Sequence, residues 1–339
     1  MKTIDIHTHL LNPAVRFDRL FDRLVIPFFA SSLGVSARAL KKDPWETHVQ
    51  AMARAVATST RVRQTCLFAV DARVDRRGRE LHRDGTVCAD TADVLGVARR
   101  FPDQFIPFLS VNPLRPDALD RLEEHAANGC RGAKFLQNYW EVDLNDESLV
   151  PYYEKLAALK LPLVVHVGSE LTIASKRAYE GADMLRLPLD CGVTVIAAHM
   201  GLGQIDHLAF PWRNLSKNPR WFDADYHRIL ELLETRENLY GDLSALLIPL
   251  RARALPHLAS QTHIHHKLLF GSDYPVPFTL RFNTHGLPRA DMKRIGGIAN
   301  PFDRYASALT EFFPEDNPVW RNHQKVLPSS TWQPQQPDA

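Results

Sequence analysis

"TIDIHTHL", residues 3–10, sets two histidines one residue apart at the end of an apolar run. In a β-strand, positions i and i+2 share a face. His7 and His9 therefore point the same way, with Thr8 opposite. Paired imidazoles suit a metal ion; without one, each is a polar group that needs its own partner. Two unrelated surface histidines are the competing reading, since the chain carries 15 histidines. The rest of the chain must choose between them.

Similar apolar runs recur to the far end of the chain. They are "QTCLFAVD" (64–71), "FIPFLSVN" (105–112), "RGAKFLQ" (131–137), "PLVVHVG" (162–168), "TVIAAHMG" (194–201), "LYGDLSA" (239–245) and "KLLFGSDYPV" (267–276). Most are near-continuous rather than alternating, as expected of parallel strands covered on both faces. Segments of helical spacing lie between them, such as 117–129, 146–160 and 223–239; the first places Leu119, Leu122 and Ala126 on one stripe and stops at Gly129. Eight strand-then-helix units predict an α/β fold, a (β/α)₈ TIM barrel. A doubly wound sheet is the rival, but no GxGxxG follows any strand.

A chain of 339 residues is compatible with one such barrel. The reading is a single barrel domain over 1–313, with a rim insertion after the first strand at 10–45. A proline-rich C-terminal extension follows at 314–339, disordered or lying against a neighbour. The insertion, rich in Phe, Leu and Arg, either caps the active site or serves packing or a homodimer contact. Net charge is +2 with scattered basic residues, so no nucleic-acid partner is expected. The run "RVDRRGRE" (73–80) reads as a solvated loop. Cys66, Cys88, Cys130 and Cys191 form no CxxC, which fits a reducing cytosol. No signal peptide precedes the first strand and no uncharged apolar stretch would cross a bilayer, so a cytoplasmic protein without a membrane partner is expected.

Polar residues inside apolar strands are costly to bury without partners. Here they gather at the strands' C-terminal ends: His7 and His9, Lys134, His166, His199, Asp242 and Asp273. Barrel active sites are assembled at that face. Two histidines from the first strand, His166 from the fifth and Asp273 from the eighth make a mostly nitrogen ligand set, suited to Zn²⁺ and other first-row divalent ions. Asp242 either orients a substrate or ligand histidine or merely bonds within the barrel mouth. Glu170, Tyr139 and Trp140, just past the fifth and fourth strands, are placed to line a pocket; packing is the alternative for the aromatic pair. "THIHHK" (262–267) precedes the eighth strand, at the opposite rim, and reads as a solvated loop.

In order along the chain, "DIHTHL", "RGAKFL", "LVVHVGSE", "AAHMGLG", "NLYGDLSA" and "LLFGSDYP" resemble the amidohydrolase superfamily. Within it the resemblance is to the amidohydrolase-related branch that includes aminocarboxymuconate-semialdehyde decarboxylase-like enzymes, and it spans roughly residues 3–280. It implies His7, His9, His166 and Asp273 as ligands of one catalytic metal, usually zinc, with manganese as the other option. His199 would stand beside the metal and polarise or deprotonate the reacting group. In binuclear relatives a fourth-strand lysine is carboxylated and bridges two ions; in mononuclear ones a lysine at Lys134 could face an anionic substrate.

The expected activity is hydrolysis of a carbonyl-type bond (amide, lactone or C–C) in a small, carboxylated substrate. A metal-activated water would attack, with His199 and Asp273 as catalytic groups and Lys134, Trp140 and Glu170 toward the substrate. Non-oxidative decarboxylation is the alternative, with Lys134, Lys176 or Arg177 seating the acid; hydration of a double bond is a lesser one. A non-catalytic binding protein on the same fold is the reading outside enzymology.

Overall fold

The apolar runs form eight strands: β1 (Thr3–His9), β2 (Val62–Phe68), β3 (Phe105–Phe108), β4 (Ala133–Phe135), β5 (Leu163–His166), β6 (Val195–Ala198), β7 (Leu239–Asp242) and β8 (Leu268–Leu269). They come from a computed structural model that describes residues 2–17, 22–75, 77–82, 88–170, 175–205, 212–280 and 286–327. One parallel ladder joins β1, β2 and β3, and a second joins β4 through β8 in chain order. Backbone bonds close both seams. Lys134 N donates to Leu109 O at 2.8 Å, linking β4 to the end of β3. Ile6 N donates to Phe270 O at 3.0 Å and Asp273 N to His7 O at 2.8 Å, linking β1 to the end of β8. The result is the (β/α)₈ barrel that the alternation predicts.

Helices follow the strands and cover their outer faces. Pro44–Thr58 lies between β1 and β2; Asp43 caps it by accepting from Glu46 N at 3.1 Å, and proline opens its first turn. Val49, Met52 and Val56, at spacings of three and four, form its buried stripe. The helices expected over 117–129 and 223–239 appear as Ala118–Ala127 and Ala224–Thr235. Over 146–160 a short 3₁₀ turn leads into Val150–Ala158. The insertion at 10–45 contributes helices Asp22–Leu33 and Ala37–Lys42.

The interior is apolar in its N-terminal half, where Ile4, Ile6, Cys66, Phe68, Phe108, Val164, Ile196 and Leu269 pack together. Regular alternation would turn Ile4 and Ile6 away from the face that carries His7 and His9. A register shift between Asp5 and Thr8 of β1 resolves the conflict: the strand bulges, and both sets reach the interior. Bulges beside active sites re-aim side chains in this way.

Two expectations are corrected at the N-terminal end. Residues 262–267 are not a solvated loop but a 3₁₀ helix with Ile264 and His265 buried, His265 Nδ1 bonded to Asn317 Nδ2 at 2.8 Å. Nor do residues 314–327 of the extension stand off. Val326 joins the interior cluster, and Asn322 Nδ2 donates to the carbonyls of His265 and Leu268, both at 2.8 Å. Residues 328–339 lie outside the described chain. Among the described residues no helix is long and apolar enough to cross a membrane.

Candidate active site

The ends of β1 and β4–β8 bring polar side chains to the barrel mouth, and at two of them the backbone bends to do it. His199 has φ 60° and Asp273 φ 64°, left-handed values that non-glycine residues adopt at a cost. Both residues sit where their strands end, and both line the mouth. Gly271, two residues before Asp273, lets β8 close on β1: a Cβ there would lie 3.1 Å from that of His7.

Among the described residues His7 joins two clusters, one with His9 and Asp273 and one with His199 and Asp242. His7 Nε2 is 3.2 Å from His9 Nε2 and 3.2 Å from Asp273 Oδ1, while His9 Nε2 is 3.5 Å from the same carboxylate oxygen. The proton inventory makes this cluster informative. His7 Nδ1 donates to Asp242 Oδ2 at 2.7 Å, so in the neutral ring Nε2 presents a lone pair. In that form the lone pairs of His7, His9 and Asp273 can meet at one point, the arrangement a divalent cation satisfies in place of a proton. His166 lies beside His199, ring centroids 4.9 Å apart, and its Nε2 is buried without a partner, as is His9 Nδ1. The orphaned His166 nitrogen fits a further ligand, although it lies outside the group of His7, His9 and Asp273 atoms that fall within 4.8 Å of one another.

Burial holds His9 and His199 well below the usual histidine range and lowers His166 to about 4, so the three rings are neutral at pH 7. Neutral imidazole is the form that ligates a metal or accepts a proton. His7 goes the other way: burial opposes its charge, but Asp242 and Asp273 outweigh it and raise the pKa.

Asp242 is the organiser of this end. Besides His7 it accepts from His199 N at 2.9 Å and from both the backbone nitrogen (3.1 Å) and the hydroxyl of Ser244. His199 Nδ1 meets Ser244 O at 3.0 Å; a carbonyl only accepts, so Nδ1 carries the proton and Nε2 the lone pair. Of the alternatives open for Asp242, the geometry selects orientation of His7.

A chamber of about 420 Å³ opens above the cluster, with His9, Lys134, His166, Glu170, His199 and Asp273 among its lining residues. The insertion covers it, through Leu10, Leu11, Val15, Phe17 and Phe29. Lys134 Nζ is buried without a hydrogen bond, 5.5 Å from the Phe68 ring centroid, and burial lowers its pKa. Glu170 Oε2 lies 3.6 Å from His166 Nδ1. Trp140 does not join them: it is 1% exposed in the outer core, its Nε1 donating to Asp71 O at 2.9 Å. The short helix Gln137–Trp140 turns its ring into the wall. Lys176 pairs with Glu141 and Arg177 with Gln204, and neither lines the chamber.

Two participants escape sequence reasoning. Ser244 looks like an ordinary strand-end serine. Arg251 sits in "IPLRARALP" beside an equally plain Arg253, yet only Arg251 reaches the chamber. Its Nε donates to Leu202 O (3.1 Å) and one terminal nitrogen to Ser169 O (3.0 Å), which tie it to the loops after β6 and β5. The one signal, charge in a largely apolar run, marks both arginines alike.

Comparisons with known proteins agree on the architecture. The structure resembles an uncharacterised TIM-barrel protein from Bordetella bronchiseptica (18% identity, TM-score 0.54, 92% of this chain and 99% of that one). It also resembles a probable 2-pyrone-4,6-dicarboxylic acid hydrolase from Acinetobacter baumannii (16%, 0.51, 96% and 99%) and a 2,6-dihydroxybenzoate decarboxylase (16%, 0.50, 90% and 99%). At such identities the likeness is one of fold. No curated protein matches the chain. The family model described as Amidohydrolase matches residues 4–279, from β1 past the end of β8, and on that match the chain belongs to the amidohydrolase family of metal-dependent enzymes.

Proposed function

We propose that the chain is a mononuclear metal-dependent hydrolase acting on a carbonyl-type bond (amide, lactone or C–C) of a small carboxylated substrate. The observation that carries this reading is the close approach of His7 Nε2, His9 Nε2 and Asp273 Oδ1 beside a neutral His199 whose tautomer is fixed by the Ser244 carbonyl. His7, His9, His166 and Asp273 would hold the ion, and three nitrogens with one carboxylate favour zinc over manganese. When bound, such an ion supplies a Lewis acid and lowers the pKa of water from about 15.7 towards roughly 7.

The chain's own groups do the rest. His199 Nε2, its other nitrogen committed, accepts a proton or a hydrogen bond at the reacting centre. Asp273 holds a proton beside it and passes it to the leaving group. Arg251 and Lys134 bring positive charge to the chamber and seat the substrate's carboxylate, Arg251 with its orientation already set by two carbonyls. Glu170 borders the same space, and the insertion's apolar side chains exclude water from it. The four cysteines form no disulfide, which supports a reducing, cytoplasmic setting.

Decarboxylation has one specific observation in its favour: two cations face a chamber whose other walls are largely apolar, which suits an acid whose carboxylate is the reacting group. Metal content of the purified protein, with His7→Ala as control, is the test. One equivalent of zinc, lost in the variant, supports the mononuclear site; two equivalents point to a carboxylated Lys134, and none after reconstitution overturns the proposal. A panel of lactones, amides and aromatic acids in ¹⁸O-water then separates the reactions. Hydrolysis places one solvent oxygen in the product, whereas decarboxylation releases CO₂ and leaves a solvent hydrogen on carbon.

A further inference from the structure

Asp242 touches the two rings beside it unequally. Its Oδ2 lies 2.7 Å from His7 Nδ1, whereas its bond to His199 goes to the backbone nitrogen, at 2.9 Å. The Ser244 hydroxyl spans the difference. Its Oγ lies 3.0 Å from His7 Nδ1 and 2.9 Å from His199 Nδ1, and it is also bonded to Asp242 Oδ1. His7, Asp242 and Ser244 are fully buried and His199 is 3% exposed, so solvent does not dilute these bonds. The chain makes room for the arrangement at two points. Gly271 lies against Ser244 as well as His7, since a Cβ there would be 3.3 Å from that of Ser244. Ala245, the next residue, takes φ 52°, a left-handed value that costs a residue with a Cβ.

One placement of hydrogens satisfies every atom. His199 Nδ1 faces the Ser244 carbonyl at 3.0 Å, so it carries a hydrogen, which it shares with Oγ. His7 Nδ1 faces the Asp242 carboxylate and carries one too. The hydroxyl hydrogen is then left for Asp242, and the two lone pairs of Oγ face the two rings. This has a consequence for proton transfer. When His199 accepts a proton at Nε2, its Nδ1–H points at an oxygen that is itself polarised by a bond to a carboxylate. The charge of Asp242 thus reaches the His199 ring through one hydroxyl.

We infer that Ser244 is a positioning residue for the reaction: its hydroxyl aims His199 Nε2 at the reacting centre and links that ring, through Asp242, to the metal-side ring of His7. The inference rests on the reading of His199 as proton acceptor and is independent of which substrate the chamber takes.

The test is NMR of the zinc-loaded full chain with ¹⁵N-labelled histidine, comparing wild type with Ser244→Ala and using His199→Asn to assign the His199 signals. In wild type the His199 ring should carry its hydrogen at Nδ1, in slow exchange with water. Ser244→Ala keeps the carbonyl and removes only the hydroxyl. There the same hydrogen should exchange about tenfold faster or more and resonate further upfield, while zinc content stays at the wild-type value. With 4-nitrophenyl acetate as probe, Ser244→Ala should lower kcat about tenfold at unchanged KM, the split expected for a group that acts in the transition state. A wild-type His199 protonated at Nε2, or a signal that Ser244→Ala leaves unmoved, would overturn the inference. Loss of zinc in Ser244→Ala would overturn it as well, because the hydroxyl would then serve His7 and the metal. If wild type neither binds zinc nor cleaves the ester, the metal-dependent hydrolase reading is what fails, and the NMR comparison still decides the role of Ser244.

Discussion

The N-terminal half of the barrel interior is filled by side chains such as Ile4, Ile6, Phe108, Val164, Ile196 and Leu269, whereas the C-terminal half holds His7, His9, Lys134, His166, His199, Asp242 and Asp273. Phe68 divides them, its ring centroid 5.1 Å from that of Phe108 below and 4.7 Å from that of His7 above. The same eight strands build both halves, and residue type along them, aided by the β1 bulge and the left-handed turns at His199 and Asp273, makes the contrast. The lower half stabilises the fold by apolar burial. The upper half buries titratable groups, some with orphaned atoms, which costs stability and persists where the groups serve chemistry.

If that division is right, substitutions in the two halves should fail in different ways. The largest effect on turnover short of removing a ligand is expected from His199→Asn. It should lower kcat about 10²–10⁴-fold, the usual contribution of a general acid–base group, while metal content measured by mass spectrometry stays at the wild-type value. Unchanged activity would remove His199 from the chemistry. In the lower half, Phe108→Ala should cost about 3–5 kcal/mol in a denaturant melt and leave kcat unaltered below the transition. A large loss of kcat there would break the comparison.

Asp242→Asn should act between these extremes. It keeps the shape but weakens the acceptor that orients His7, so metal affinity or activity should drop about 10–100-fold with a small change in melting temperature. A chelator titration reads the affinity directly. The smallest effect is expected at Asp303, which ties helix Pro301–Thr310 to the turn that enters β2. It accepts from Ser59 Oγ at 2.5 Å, Thr60 N at 3.0 Å, Thr60 Oγ1 at 2.9 Å and Arg61 N at 3.0 Å. Burial would raise its pKa, but these donors outweigh it and hold the carboxyl below the usual range. A depressed folded-state pKa means that the stabilisation is complete above the unfolded value of about 3.9 and fades as pH falls through the folded one. Asp303→Asn should therefore melt lower than wild type at pH 7, by roughly 1–3 kcal/mol of stability, and the gap should close in acid. A constant gap from pH 7 to pH 2 would contradict this.

Much of the architecture is legible in the amino-acid order, because a strand buried on both faces has to be apolar throughout. Polar residues interrupting such runs stand out for the same reason, which is how His7, His9, Lys134, His166, His199, Asp242 and Asp273 can be picked from one sequence. Trp140 shows the limit. It does lie just past a strand, as expected, but side-chain direction there depends on a four-residue helix that periodicity does not reveal. The tail shows another: "PVWRN" and "HQKV" carry no strong pattern, yet they pack under the barrel, where Asn322 satisfies carbonyls of the 3₁₀ helix before β8 and of β8 itself.

The sequence by itself determined the eight barrel strands, the order in which they occur and the kind of chemistry their ends can do, since each follows from residue type and local period. Only the tertiary structure decided which groups meet. His7 and Asp242 lie 235 residues apart and share a 2.7 Å bond because the ring closes between β8 and β1. The bulge in β1 and the selection of Arg251 over Arg253 arise likewise from long-range packing. Contact depends on distance in space, and local pattern carries no record of it.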